Sequence, residues 1–349
     1  MKINNFKIEN HEIGQGKPVF IIAEIGVNHN GDLELAKKMI IAAKNAGADA
    51  VKFQTFSADK LASINTPKVK YQIDKNHKNE SHYEMLKKLE LSFDDHILLN
   101  SFCKKNQIMF LSTPYDVESA KFLNEILNIK YFKTASADII DIPLHEYISS
   151  TSKPCIISTG MSSLSEIQHV YEIYNSSDIA FLHCISNYPC SDKSLNLNVI
   201  RSLFNLFNVP IGYSDHSIGS VAAISAVTLG ARIIERHFTT NKSLNGPDQR
   251  SSSDPKEFEL LVNQIRRAEK MLGNPLKKLQ KEEIDMLKTS RKSLHIVKDM
   301  EINQIILKKD LELKRPGNGL SYKYIDYFIG KKTTKELKQG HKISLGDVF

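Results

Sequence analysis

Residues 210–217 read PIGYSDHS and residues 231–240 read ARIIERHFTT. In both, an apolar run ends abruptly in polar chemistry: Ser214, Asp215 and His216 close the first, and Glu235, Arg236 and His237 the second. Two imidazoles at the tips of neighbouring elements suit one divalent ion, with Glu24, Asp215, Glu235 or water completing its shell. With open positions, such an ion acts as a Lewis acid on a carbonyl. Lys52 and Lys133 each follow an apolar residue inside a run that should be buried, where an unpaired ammonium is costly, so each needs an anionic partner. With the hydroxyls of Thr113, Ser136, Ser158 and Ser214 nearby, the two lysines have the chemistry to hold a phosphate-bearing trianion. The alternative use of the lysines is structural pairing with Glu24, Asp138 or Glu235.

Something must bring these residues together. Short apolar runs recur eight times, each bounded by polar or Gly/Pro residues and followed by a helical pattern: VFIIAEIGVN from Val19, DAVKFQTF from Asp49, IMFLSTPY from Ile108, YFKTAS from Tyr131, PCIISTG from Pro154, IAFLHCI from Ile179, PIGYSDH from Pro210 and ARIIERHF from Ala231. Eight strand–helix repeats with continuously apolar strands predict a (β/α)8 (TIM) barrel. An open doubly wound sheet is the rival, but no G-x-G-x-x-G follows the first run. In a barrel, the strand tips converge on one mouth. Those tips carry Glu24 and Asn28; Lys52 and Gln54; Thr113; Lys133 and Ser136; Ser158; His183, Asn187 and Tyr188; His216; and His237. Between strands, DLELAKKMIIAAKNAGA predicts a helix with Leu35, Met39, Ala42 and Ala46 on its inner face. Ser163 and Glu166 have capping-box spacing at the start of another helix. The segment from Ser57 to Lys88 reads as a long insertion above the mouth, either a lid or a surface excursion. The barrel domain is expected over 1–282, a linker over 283–292, and a small β-rich domain over 293–349 whose KRPGNGL loop displays Arg315.

Composition narrows the class. The net charge of +7 comes from lysines spread along the chain, densest in KVKYQIDKNHKNESH and KKLQKEE, and no nucleic-acid motif accompanies them. Cys103, Cys155, Cys184 and Cys190 lack C-x-x-C spacing and read as buried free thiols of a reducing compartment. The N-terminus lacks a signal-like apolar stretch, and no run approaches the roughly 20 apolar residues needed to span a bilayer. A cytoplasmic protein with small-molecule substrates, binding neither nucleic acid nor membrane, is the expectation.

The runs AEIGVNHNG, VKFQTF, STP, STGM, NYP, GYSDHS, IIERHFT, GPD and KRPGNG, in that order from Phe20 to near the C-terminus, resemble the sialic acid (nonulosonate) synthases. This resemblance implies a transferase that forms a carbon–carbon bond between phosphoenolpyruvate and an open-chain N-acetylmannosamine-type sugar. The products would be inorganic phosphate and a nine-carbon 2-keto acid, either N-acetylneuraminate or its legionaminate analogue. It further implies a (β/α)8 barrel, a C-terminal antifreeze-like (SAF) domain and a domain-swapped homodimer. The implied ion is Mn2+, or Mg2+ or Co2+ in its place, held by His216 and His237. Lys52, Lys133, Thr113, Ser136, Ser158 and Ser214 would bind phosphoenolpyruvate. Gln54, Asn187, Tyr188 and Asp248 would hold the sugar, with Arg315 reaching its N-acyl group from the other subunit, and Glu24 or Glu235 would handle the attacking water. Two departures fall near the implied sugar site: Ser136, Ala137 and Asp138 stand where many members read SGE, and Gln249 follows Asp248 where many read His. They are expected to mark a sugar other than the simplest one. Two rival readings of the same residues are a lysine-Schiff-base aldolase using Lys133 or Lys52, and a non-catalytic carbohydrate-binding protein.

Overall fold

The computed structural model describes residues 6–9, 11–69, 72, 80–174 and 178–349. Residues 70, 71 and 73–79, from the Lys-rich part of the expected insertion, lie outside the described residues. The chain divides into two compact units, 1–273 and 274–349.

The first unit opens with an antiparallel hairpin, β1 (Phe6–Ile8) and β2 (His11–Ile13). Eight parallel strands follow: β3 (Phe20–Gly26), β4 (Ala50–Thr55), β5 (Met109–Pro114), β6 (Phe132–Thr134), β7 (Cys155–Ser158), β8 (Ile179–Cys184), β9 (Ile211–Asp215) and β10 (Ile233–His237). Their order is β5-β4-β3-β10-β9-β8-β7-β6. The two ends of that order meet where the Tyr131 hydroxyl donates to the Phe110 carbonyl at 3.1 Å. The result is the predicted (β/α)8 barrel.

Side chains of one parity point inward along each strand. The lower layers are apolar: Phe20 and Ile22, Ala50, Met109 and Leu111, Ile156, Ala180 and Leu182, and Ile233 form one buried cluster. Two residues further along the same parity come Glu24, Lys52, Thr113, Ser158 and Glu235. Each strand thus runs from an oily floor to a polar tip. The hairpin stoppers the floor, because Phe6, Ile8 and Ile13 join that apolar cluster, each 1% exposed. Burying them contributes roughly 1.5–3 kcal/mol apiece. Gly212 belongs to the lower layer because a Cβ there would lie 2.4 Å from Leu182 Cδ2 and 2.6 Å from the Ile233 carbonyl oxygen.

The outer ring comprises α1 (Leu33–Asn45), α4 (Phe93–Lys105), α5 (Val117–Lys121), α6 (Ile142–Ser150), α7 (Leu164–Tyr174), α8 (Val199–Phe207), α9 (Val221–Leu229) and α10 (Pro255–Leu272). Two short helices, α2 (Ala58–Leu61) and α3 (His82–Leu89), precede α4. The inner face of α1 differs from expectation: Ala36, Met39, Ile40 and Ala43 are buried, while Leu35 and Ala42 are half-buried. Met39 and Ala46 are buried as expected, but the stripe that faces the sheet is the i, i+3, i+4, i+7 set from Ala36, turned to one side of the expected face. The Ser163–Glu166 box forms, with the Ser163 amide donating to Glu166 Oε2 at 2.6 Å. Ala58, Met85 and Leu86 of the 57–88 segment pack with Val27, Phe56 and Leu89, so its described part has a small core beside the tips of β3 and β4.

The second unit contains α11 (Ile284–Ser290), the antiparallel pair β11 (Ser293–Ile296) and β12 (Leu311–Lys314), and α12 (Ile325–Phe328). Leu294, Ile296, Ile306, Phe328, Leu337 and Ile343 are central to its own core. Asp347 ties its last turns together, accepting from Lys335 at 2.9 Å, His341 at 2.8 Å and the Ser344 amide at 2.8 Å. Among the described residues, no helix is long and apolar enough to cross a membrane.

Candidate active site

The polar upper layer is a buried charge cluster. Lys52 Nζ lies 2.8 Å from Glu24 Oε2 and donates to Thr113 Oγ1 at 2.9 Å. Lys133 Nζ donates to Ser158 Oγ at 2.6 Å and to the Thr134 carbonyl at 2.9 Å. Glu235 stands between the lysines, with Oε2 at 3.8 Å from Lys52 Nζ and 3.7 Å from Lys133 Nζ, while its Oε1 accepts from Ser214 at 3.0 Å. Strand register produces this closeness: Glu24 is opposite Lys52, Gln54 opposite Thr113, and Glu235 opposite Ser214. A bulge between Glu24 and Gly26, where Gly26 has φ +54°, turns the chain just after Glu24. Gln54 Nε2 donates to Glu24 Oε1 at 3.2 Å.

Environment separates the two carboxylates. Burial dominates at Glu24 and, helped by the charge of Glu235 against the pull of Lys52, pushes its pKa up to about 7. Burial acts the same way on Glu235, but Lys133 and then Lys52 overcome it and hold its pKa below the ordinary carboxylate value. Desolvation opposes the charge of both lysines. At Lys52 the two carboxylates prevail and the pKa rises; at Lys133 burial prevails and the pKa falls. One carboxyl is therefore positioned to carry a proton near neutrality and the other to accept one.

Beside this cluster, the His216 and His237 rings stand 5.5 Å apart between centroids. Tyr188 lies over both, at 4.0 Å from His216 and 5.2 Å from His237. His216 Nδ1 is 2.8 Å from the Ile185 carbonyl, which fixes the ring and leaves Nε2 for a ligand. His237 is held neutral by burial and then by the charge of His216, and its Nδ1 is buried without a hydrogen bond, 3.9 Å from Asp248 Oδ2. Asp248 also has an orphaned oxygen, Oδ1, and burial raises its pKa to about 6. Two buried imidazoles side by side, His216 anchored through Nδ1 and His237 held neutral, fit a divalent ion. No group of three or more His, Cys, Asp or Glu assembles for a metal among the described residues, so other ligands would be substrate or water.

The remaining predicted residues separate. Ser136 Oγ accepts from the Gly160 amide at 3.0 Å, bridging the loops after β6 and β7. Asp138 is buried with Oδ2 unpartnered, and burial, then Asp141, raises its pKa to about 7. Asn187 is exposed and donates to its own loop at Pro189 O, 3.2 Å away. Arg315 belongs to the second unit, where its Nε donates to the Ser290 carbonyl at 2.9 Å.

Three assignments need correction. Asp215 is committed elsewhere, accepting from Arg236 at 2.6 Å and from the Ser217 amide and hydroxyl at 2.9 and 2.7 Å; its side chain points away from the barrel interior. Gln249 is fully buried, donating to the Asn28 carbonyl and accepting from Thr239 Oγ1, so it braces a loop and presents no exposed surface to a sugar. Asn28 is likewise structural, donating to Phe238 O at 2.9 Å and Ser252 Oγ at 2.8 Å. The signal for Arg236 was available: it has the outward parity of β10, next to Asp215 in register.

A (β/α)8 barrel whose mouth combines paired lysines, paired carboxylates and paired histidines belongs to the barrel enzymes with charged substrates. Comparison narrows this further. A match to the NeuB family covers residues 39–277. The N,N'-diacetyllegionaminic acid synthase of Legionella pneumophila is 41% identical over 346 residues, covering 97% of this chain and 96% of that one. The pseudaminic acid synthase of Campylobacter jejuni is 36% identical over 355 residues, covering 99% of both chains. The crystal structure of the N-acetylneuraminic acid (sialic acid) synthetase of Leptospira borgpetersenii, in complex with citrate, superposes with a TM-score of 0.73 at 36% identity, over 82% of this chain and 95% of that one. The chain belongs to the NeuB family and is a nonulosonate synthase, a transferase that forms a carbon–carbon bond.

Proposed function

We propose that this enzyme condenses phosphoenolpyruvate with an open-chain 2,4-diacetamido relative of N-acetylmannosamine, giving a legionaminate-type nine-carbon 2-keto acid and inorganic phosphate. The observation that carries the reading is the convergence of two buried ammonium groups on Glu235, within a layer that also holds Thr113, Ser158 and Ser214. Such a layer is built to be neutralised by a small polyanion. The greater identity with the legionaminate enzyme than with the pseudaminate enzyme supports the sugar assignment.

Lys52 and Lys133 hold the carboxylate and phosphate of phosphoenolpyruvate, with the hydroxyls of Thr113, Ser136, Ser158 and Ser214 around them. C3 of the enol attacks the sugar aldehyde carbon, and the aldehyde oxygen takes up a proton. Glu24, protonated near neutrality, supplies it. Water adds to the cationic C2, and Glu235, kept ionised by the lysines, accepts the proton released. Cleavage of the C2–O bond then expels phosphate and leaves the ketone. His216 and His237 would hold a divalent cation, Mn2+ or in its place Mg2+ or Co2+, which supplies Lewis-acid polarisation of a carbonyl. Gln54, Asn187, Tyr188, Asp138 and Asp248 contact the sugar.

Residues 293–349 act as an antifreeze-like (SAF) domain of a domain-swapped homodimer, joined through 283–292 to the barrel domain of 1–282. The partner subunit's Arg315 meets the N-acyl group; its exposed guanidinium, bonded only through Nε among the described residues, supports this role. Four free, buried thiols support a cytoplasmic setting.

The test is phosphate release from phosphoenolpyruvate with a panel of N-acyl sugars, alongside borohydride trapping. Release should require the sugar, be fastest with the 2,4-diacetamido compound, and leave no trapped lysine adduct. A trapped adduct would replace this reading with Schiff-base chemistry, and equal kcat/KM for N-acetylmannosamine would remove the sugar assignment.

A further inference from the structure

A cavity of about 300 Å³ opens at the end of the barrel opposite the catalytic layer. Its wall includes Arg201, Phe204 and Asn205 of α8, Leu229 at the end of α9, Arg232 just before β10, and Gln15 just after the hairpin. Arg232 precedes Glu235 on one strand by three residues, roughly 10 Å at about 3.3 Å per residue, so the cavity is separate from the charge cluster. Nothing in the condensation uses it.

Its two guanidinium groups lack a direct partner among the described residues. Neither Arg201 nor Arg232 has an ion pair or a side-chain hydrogen bond among the described residues. The acid nearest in influence to Arg232, Glu269, is engaged by Arg266 at 3.2 Å. Arg232 is half-buried, and desolvation lowers its pKa from the free value. A partly desolvated guanidinium without a counterion is costly to keep. Half-buried Arg232 and exposed Arg201 share one concave wall with the apolar surface of Phe204 and Leu229 and the side-chain amides of Gln15 and Asn205, which matches an anionic head attached to an apolar body. The volume is at the small end of ligand pockets and suits about one ring with its charged group.

We propose that this cavity binds a small organic anion, a carboxylate or phosphate ester, with its charged head on Arg201 and Arg232 and its apolar body against Phe204 and Leu229. Saturation-transfer NMR on the full-length protein, with phosphoenolpyruvate saturating to occupy the catalytic layer, tests this. The probes are phenyl phosphate, benzoate and inorganic phosphate. Phenyl phosphate or benzoate should still bind, tighter than inorganic phosphate, and the better of the two identifies the head. Arg232→Gln and Arg201→Gln should each weaken that binding about tenfold or more, the size of a lost charge-assisted contact. Arg201 is exposed on α8, so its variant reads the site even if Arg232→Gln fails to fold. Absence of binding by both ring-bearing probes, their displacement by phosphoenolpyruvate, or indifference to Arg201→Gln would each overturn the proposal.

Discussion

Replacing Lys133 with Met keeps the length and packing of the buried stem while deleting its charge. The ammonium is 1% exposed, contacts Ser158 and Thr134, and faces Glu235 at 3.7 Å. A charge-assisted contact to an anionic substrate is worth about 1.5–3 kcal/mol, so kcat/KM for phosphoenolpyruvate should fall roughly 10- to 150-fold. A second effect follows from the same distance. Lys133 is the strongest influence holding Glu235 below its ordinary pKa, with Lys52 next, at 3.8 Å. A depressed carboxylate stays ionised down to low pH, and activity needing it is lost as pH falls through its pKa. Without Lys133 that pKa rises, so the acid limb of the pH–rate profile should move to higher pH. Phosphate release measured against phosphoenolpyruvate concentration at a series of pH values reads both effects. Unchanged phosphoenolpyruvate kinetics, or an acid limb that stays in place, would refute the assignment of Lys133 as both anion clamp and partner of Glu235.

Glu24 is raised to about 7 by burial, so activity that needs its proton should decline as pH rises through about 7; Glu24→Gln should erase that limb in kcat/KM profiles. Chelation should abolish phosphate release and Mn2+ or Co2+ should restore it, whereas full activity in protein shown metal-free by elemental analysis would reject the role of His216 and His237. Gly212→Ala puts a methyl 2.4 Å from Leu182 and should cost about 1–3 kcal/mol in denaturant unfolding. At Asp347, burial raises the pKa but Lys335, His341 and Ser344 outweigh it, so the folded value is depressed. Its stabilisation is complete above the unfolded value of about 3.9 and disappears as pH falls below it. Asp347→Asn should therefore lower Tm at neutral pH and shrink the difference from wild type in strong acid.

The barrel and most of its charged layer could be read from the chain because two periodicities coincide. Apolar runs mark the strands, and the inward parity that carries Ile22 to Glu24 and Ile233 to Glu235 brings polar residues to most of the tips, with Cys184 at the tip of β8. Partner choice was less visible. Asp215 and His216 are adjacent in sequence yet face opposite sides of the barrel wall, so a list of tip residues placed both at one site. Gln249 reads as a specificity marker in the sequence because residue type alone does not reveal that its amide is buried and bonded to Asn28 and Thr239. The hairpin escaped notice because three-residue strands give too little alternation, although Phe6, Ile8 and Ile13 have the spacing of one inward face.

That hairpin makes the barrel a blind vessel. With Phe6, Ile8 and Ile13 sealed into the floor, the described residues close that end of the lumen. Both reactants and both products share one doorway, and whatever enters first lies beneath whatever enters second. On the proposed reading, with phosphoenolpyruvate held deepest by Lys52 and Lys133, that substrate would enter ahead of the sugar, and its phosphate, freed at the bottom, would leave after the nine-carbon acid. The kinetic signature of that geometry is ordered entry, with phosphate inhibiting competitively against phosphoenolpyruvate.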